Sequence, residues 1–197
     1  MMNLISAIRV ATRRILTPQN DDTPEEDWEP PGLLVTEEVC RETRRGLRSH
    51  SPPPEDHEGV VYWAGRSLPD ESARAALTVV VPEATTTPGS YDISPVANAA
   101  VIDTIHDYGL ELVATVHSHP GERTSHSELD SEAAQLPHEG YFSIVVPDYA
   151  ADGIRPYTDC GVHMYHDGDF VELDDSIVEQ RVETLLSAPS YINTRDQ

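Results

Sequence analysis

Two histidines, a serine and an aspartate lie close together near the middle of the chain, at a spacing that could form a metal site. One residue separates His117 from His119, and Ser127 and Asp130 follow in the next stretch of chain. Imidazole nitrogens and a carboxylate oxygen are common zinc ligands, and three protein ligands leave the fourth tetrahedral position open for chemistry. These residue types and spacings predict one Zn2+ per chain, held by His117, His119 and Asp130.

The elements expected around these residues could bring them to one cation. Residues 110–116 predict a strand that runs out at His117, and side chains two apart on a strand share a face. Pro120 then ends the strand pairing and turns the chain. Ser127 and Asp130 would share one face of a short helix, because they are three residues apart.

The remaining pattern predicts an α/β sandwich with a mixed sheet, because strands and helices alternate at first and strands cluster later. Thr36 is the expected cap of a helix that ends near Ser49, and Ser94 caps a second helix that ends at Gly109. Further strands are expected at residues 59–65, 77–82 and 141–146, a hairpin at 161–173 that turns at Asp167, and a last helix at 175–186.

The first part of the chain reads as an arm in front of this domain. Residues 1–17 predict a short basic amphipathic helix, and residues 18–31 an acidic linker that contains proline. Residues 32–197 are then the catalytic domain. The helix could pack on the domain or on a second subunit, or anchor the chain to an acidic partner or membrane surface.

The complete pattern His-x-His-Pro-x6-Ser-x2-Asp is identified as the JAMM motif, and the chain resembles the MPN/JAB metalloproteases over about residues 34–173. The resemblance implies a cytidine-deaminase-like α-β-α sandwich with a mixed sheet. It also implies a general base on the first strand, seven residues before a glycine, which Glu58 and Gly65 match. Glu55, in an expected loop, is the alternative base. Ser127 matches the family's donor to the oxyanion.

The resemblance implies a zinc-dependent protease that cuts peptide or isopeptide bonds after the C-terminal glycines of ubiquitin-like or sulfur-carrier modifiers. Its partners would be such a modifier and its conjugates. The alternative is a noncatalytic MPN-type scaffold or interaction module. A cytidine deaminase is disfavoured because the chain has no His-x-Glu with Pro-Cys-x-x-Cys. A DNA-associated JAMM-like domain is disfavoured by the charge and by the lack of a helix-hairpin-helix segment.

The chain carries a large excess of acidic residues. It has 35 Asp and Glu against 13 Lys and Arg, a formal net charge of −22, and every one of its cations is arginine. Such a field repels phosphate backbones and anionic lipids, so neither nucleic acid nor stable membrane insertion is expected. Carboxylates spread over a surface suit concentrated salt, which indicates a halophilic source. The absence of a signal-like or membrane-spanning stretch predicts a cytoplasmic protein.

The other candidate residues are expected to be structural. Cys40 and Cys160 form neither a disulfide framework nor a thiolate zinc site. His163 and His166 should lie on opposite sides of one strand. Ser143, on the strand after the motif, is expected to hydrogen-bond to backbone. No role is expected for the remaining histidines, which are His50, His57, His106, His126 and His138.

Overall fold

The computed structural model describes residues 29–51, 54–126 and 137–186. The strands, in chain order, are β1 Gly32–Thr36, β2 Val60–Ser67, β3 Ala73–Val80, β4 Thr85–Thr87, β5 Ser90–Asp92, β6 Glu111–Ser118, β7 Phe142–Val146, β8 Gly161–His166, β9 Asp169–Glu172 and β10 Val182–Leu185. The helices are α1 Glu37–Arg48, α2 Pro95–Asp107 and α3 Asp175–Arg181.

Eight of these strands form one mixed sheet in the order β10-β1-β3-β2-β6-β7-β8-β9. Strand β1 runs parallel to β10 and β3, and β6 runs parallel to β7, whereas the other neighbours are antiparallel. The central strands are buried on both faces, since every residue of β7 and the first six of β2 are buried. Such strands need a helical layer on each side of the sheet.

Helix α1 covers one face of the sheet. The hydroxyl of its cap, Thr36, accepts a hydrogen bond from the Val39 N–H at 3.2 Å. Thr43 is buried and accepts a 2.7 Å hydrogen bond from the indole of Trp63. Val61 and Trp63 of β2 share one apolar cluster with α1, so α1 lies on their face. The predicted helix and its cap are confirmed.

Helix α2 covers the opposite face. Ser94 caps it by accepting a hydrogen bond from the Ala97 N–H at 3.2 Å, and Val101 and Ile105 are buried on its inner side. They share a cluster with Tyr62 and Ala64, which alternate with the α1-facing residues of β2. Because the two helices lie on opposite faces, the predicted α-β-α sandwich with a mixed sheet is confirmed.

Two expectations about the chain's elements were wrong. The helix predicted at residues 175–186 ends at Arg181, and the chain continues as β10, which pairs in parallel with β1. Strand β3 begins at Ala73, ahead of the predicted start at residue 77. Both differences arise from pairing with β1, a partner distant in sequence that was itself not predicted as a strand.

The predicted hairpin near residues 161–173 is confirmed as β8 and β9. Its turn places Asp167 and Gly168 at φ of 49° and 94°, the left-handed region that such turns need. The helix predicted for residues 1–17 and the part of the predicted linker at residues 18–28 lie outside the described residues, and the division of the chain at residue 31 stays a prediction. No helix in the described part of the chain is long and apolar enough to cross a membrane.

Candidate metal centre

The candidate centre forms where β2 begins and β6 ends. These strands are antiparallel, and Val60 lies opposite His117. Beyond that pair, the Ser118 N–H donates to the Gly59 carbonyl at 2.9 Å, and the Gly59 N–H donates to the Ser118 hydroxyl at 2.9 Å. The pairing therefore continues past the end of β2. Because opposite residues share a face, it brings Glu58 opposite His119 and to the face of His117.

The two motif histidines converge in a buried position. His117 is 0% and His119 5% exposed, and their Nε2 atoms are 3.2 Å apart. Two nitrogens bound tetrahedrally to one zinc at about 2.05 Å lie about 3.3 Å apart, so the pair fits a shared zinc ion. Backbone bonds hold His119: its N–H donates to Val146 and its carbonyl accepts from the Tyr149 N–H, at 2.9 and 3.0 Å.

The two candidate bases differ in their surroundings. Glu58 is buried, 6% exposed, and its N–H donates to the Thr87 carbonyl at 2.9 Å. The side chain of Glu55 is 72% exposed, with a carboxylate oxygen 3.9 Å from Nε2 of His57. Only Glu58 is therefore both beside the histidine pair and shielded from bulk water.

The other two residues of the motif, Ser127 and Asp130, lie outside the described residues. Within the described ranges, no group of three or more histidine, cysteine, aspartate or glutamate side chains is arranged to hold a metal. The histidine pair is thus the described portion of the predicted site, and the third ligand stays a prediction from sequence.

His126 is the residue that sequence reasoning missed. Its ring lies 6.0 Å from that of His117 and 4.9 Å from that of His163, and its Nε2 lies 2.9 Å from the Ser143 hydroxyl. No role was expected for His126, and the structure places its ring near that of His117, while Ser143 bonds to this imidazole rather than serving only backbone. The signal in the sequence that could have identified His126 was its position next to Ser127. Periodicity could not identify it, because an irregular loop has no repeating pattern that shows which side chains turn inward.

His163 lies behind His126 on β8. It is buried, whereas His166 is partly exposed and pairs with Glu139 at 2.5 Å, which confirms that the two lie on opposite sides of the strand. Burial lowers the pKa of His163, so the neutral imidazole is favoured. The Nδ1 atom of His163 has no hydrogen-bond partner among the described residues.

The loop after His119 packs tightly on β8 because of a glycine. A Cβ on Gly161 would lie 1.9 Å from the carbonyl oxygen of Thr124 and 3.0 Å from Cε1 of His163. No side chain fits there, so the bare backbone of Gly161 lets Thr124 lie against the strand. This contact places His126 at the edge of the candidate centre.

The hairpin of β4 and β5 also lies against the centre. The ring of Tyr91, on β5, is 5.3 Å from that of His117. On β4, the Thr86 hydroxyl lies 3.0 Å from Nδ1 of His57 and donates to the His50 carbonyl at 3.2 Å. Both the hairpin, through Tyr91, and the loop after His119, through His126, thus bring a ring close to that of His117.

A curled mixed sheet between helical layers, with a histidine pair at the end of a central strand and a glutamate at the start of its neighbour, defines a JAB/MPN-type domain. Residues 36–158 match the family described as prokaryotic homologs of the JAB domain. Because this match covers more than half of the chain, the protein belongs to that family.

Solved structures with similar folds include a protein from Desulfitobacterium hafniense, with 13% identity and a TM-score of 0.58 over 79% of this chain and 94% of that one. A protein from Salinibacter ruber has 18% identity and a TM-score of 0.47, with 71% and 88% of the chains covered. A JAB1/MPN domain protein from Archaeoglobus fulgidus has 16% identity and a TM-score of 0.36, with 72% and 94% covered. No match was found among curated proteins.

Proposed function

We propose that this protein is a zinc-dependent protease that cleaves peptide or isopeptide bonds after the C-terminal glycines of ubiquitin-like or sulfur-carrier modifiers. The observation that carries the proposal is the convergence of two buried Nε2 atoms, of His117 and His119, at 3.2 Å. The buried Glu58 precedes by two residues Val60, the strand partner of His117. In sequence the histidine pair is followed by Ser127 and Asp130 at the spacing of the complete motif.

The residues present suit one zinc ion per chain. His117 and His119 would supply two nitrogens at the separation that tetrahedral zinc requires, and Asp130 would supply a carboxylate oxygen. Zinc in such a site would act as a Lewis acid, which lowers the pKa of water and polarises the substrate carbonyl.

The chain's own groups then carry out the proton transfers. The Glu58 carboxylate takes the proton of the attacking water and passes it to the leaving amine. Its buried position keeps bulk water from competing for that proton. Ser127 donates a hydrogen bond to the oxygen on which negative charge develops as the carbonyl is attacked.

The substrate class comes from the family, and the rings around His117 support it. The rings of Tyr91 and His126 lie 5.3 and 6.0 Å from that of His117, from which we infer a narrow approach to the histidine pair. Glycines pass such an approach more easily than residues with a β-carbon. The partners proposed are therefore a ubiquitin-like modifier with a glycine-ended tail and its conjugates. The charge of −22 supports a halophilic setting and disfavours nucleic acid.

The test is zinc content together with cleavage of a modifier-fused reporter. We expect about one zinc in the wild type and large losses in His117→Ala, His119→Ala and Asp130→Ala, because each removes one of three ligands. Glu58→Ala should keep its zinc but lose about 10²- to 10⁴-fold in hydrolysis, the usual contribution of a positioned base. His106→Ala, on the exposed side of α2, is the control.

Four results would each contradict part of this proposal. Full zinc retention in all three ligand variants would refute the metal site. Loss of hydrolysis in Glu55→Ala but not in Glu58→Ala would reassign the base. A wild type that binds no zinc and cleaves no reporter would favour the noncatalytic scaffold. A reporter whose tail ends in a bulky residue should resist cleavage, and equal cleavage of both tails would point to another substrate class.

A further inference from the structure

The hairpin beside the candidate centre is separate from the main sheet. Strands β4 and β5 pair only with each other in the described part of the chain. Next to its turn, the carbonyl of Thr87 accepts the hydrogen bond from the Glu58 N–H at 2.9 Å, and in the middle of β5 the ring of Tyr91 lies against the ring of His117. Any movement of this hairpin would therefore change the surroundings of both the proposed base and a proposed ligand.

The tip of the hairpin is held by Tyr149. The Tyr149 hydroxyl donates a 2.8 Å hydrogen bond to the Pro88 carbonyl at the turn. The neighbouring Gly89 lies in open space, since a Cβ placed on it would meet nothing within 4 Å. Two neighbouring carbonyls at the tip are thus bound to the rest of the domain: Thr87 by the Glu58 N–H and Pro88 by the phenol of Tyr149, which is the side-chain contact of the two.

The backbone that carries Tyr149 is unusual. Asp148, Tyr149 and Ala150 have φ of 48°, 51° and 58°, a left-handed run of three residues that are not glycine. Non-glycine residues adopt this region at a cost and persist there only where surrounding contacts impose it. Here the contacts are the Asp148 N–H to the Gly121 carbonyl at 2.7 Å and the Tyr149 N–H to the His119 carbonyl at 3.0 Å.

We propose that Tyr149 is a positioning residue that joins the segment of His119 to the hairpin tip and so holds the hairpin of β4 and β5 over the candidate centre. This inference rests on the proposed function, because the hairpin then forms one wall of the path by which the substrate tail reaches the histidine pair. Tyr149 acts through the hairpin and has no part in the chemical step.

The test compares Tyr149→Phe, which removes only the hydroxyl, with Tyr108→Phe, an exposed tyrosine after α2, as control. Amide hydrogen exchange of β4 and β5 should become about fivefold faster in Tyr149→Phe, the factor that the loss of one exposed hydrogen bond represents, while α1 is unchanged. Zinc affinity should stay within about twofold, because no ligand is altered. With a modifier-fused reporter, KM should rise about fivefold at unchanged kcat, since binding must reorder the hairpin.

If the amides of β4 and β5 exchange as slowly in Tyr149→Phe as in the wild type, the inference is overturned, whatever happens to activity. Faster exchange throughout the domain, or a loss of zinc affinity, would also overturn it, because Tyr149 would then act on the whole fold or on His119. A fall in kcat at constant KM would assign Tyr149 to the chemical step instead. If the wild type cleaves no reporter, the proposed function fails, and the exchange of the hairpin still decides whether Tyr149 holds it.

Discussion

Ser118 aligns the two strand ends that carry the candidate centre. It stands between the two motif histidines, and its hydroxyl accepts the Gly59 N–H while its own N–H donates to the Gly59 carbonyl, both at 2.9 Å. The neighbouring histidines can then face the candidate centre, because alternate residues of a strand point to opposite sides. A single small residue thus couples the position of Glu58 to that of the histidine pair.

At the same scale, His126 is expected to support the centre without being a ligand. Because its Nε2 is engaged by Ser143, we expect His126→Ala to retain about one zinc per chain, unlike His117→Ala. Metal analysis of the two purified variants checks this expectation. The removal of a ring packed against Phe170 and His163 should still lower stability, by about 2–4 kcal/mol. Loss of zinc in His126→Ala would instead make this residue a ligand.

The elements around the centre depend on a few close backbone approaches. Gly59 lies against the end of α1, where an added Cβ would be 2.1 Å from the Leu47 carbonyl oxygen, and Gly161 lies against Thr124. Neither glycine has a φ in the left-handed region, so it is space and not conformation that excludes other residues. The positions of β2 and of the loop after His119 therefore depend on the lack of a side chain at Gly59 and at Gly161.

We expect Gly161→Ala to displace the loop that carries His126 and to destabilise the domain by about 1–3 kcal/mol, the usual cost of overpacking. The reason is the 1.9 Å approach of an added Cβ to the Thr124 carbonyl oxygen, a backbone atom that cannot move alone. Chemical denaturation measures the loss of stability. Gly89→Ala, which adds the same atom in open space, is the matched control, and equal stability of the two variants would contradict the prediction.

For the whole molecule, the dominant feature is the net charge of −22. At 0.1 M salt the screening length is about 10 Å, long enough for neighbouring carboxylates to repel one another, whereas at 1 M it is about 3 Å. The folded state concentrates these charges more than the unfolded chain does. Screening should therefore favour folding.

The melting temperature is accordingly expected to rise by several degrees between dilute buffer and about 2 M sodium chloride. Thermal denaturation followed by circular dichroism measures it, with the protein at constant pH and concentration. Sucrose, which carries no charge, serves as the control for effects of solute that are unrelated to screening. A melting temperature that stays flat or falls with salt would argue against adaptation to a saline interior.

Local patterns in the sequence determined much of this protein. The caps Thr36 and Ser94, the turn at Asp167 and the alternation of β8 each depend on residues a few positions apart, and the structure confirms them. The spacing of His117 and His119 belongs to the same kind of information. Contacts between residues a few positions apart can be predicted from the sequence, because one strand or one helical turn places such residues together.

Only the tertiary structure decided which distant segments meet. Strand β10 forms because β1 offers it an edge, and the sequence after Arg181 continued a helical pattern that this pairing overrides. His126 reaches Ser143 because Gly161 lets its loop lie on β8, and Tyr149 reaches Pro88 across 61 residues. Such contacts depend on the packing of whole elements, and no periodicity within a short window of sequence encodes them.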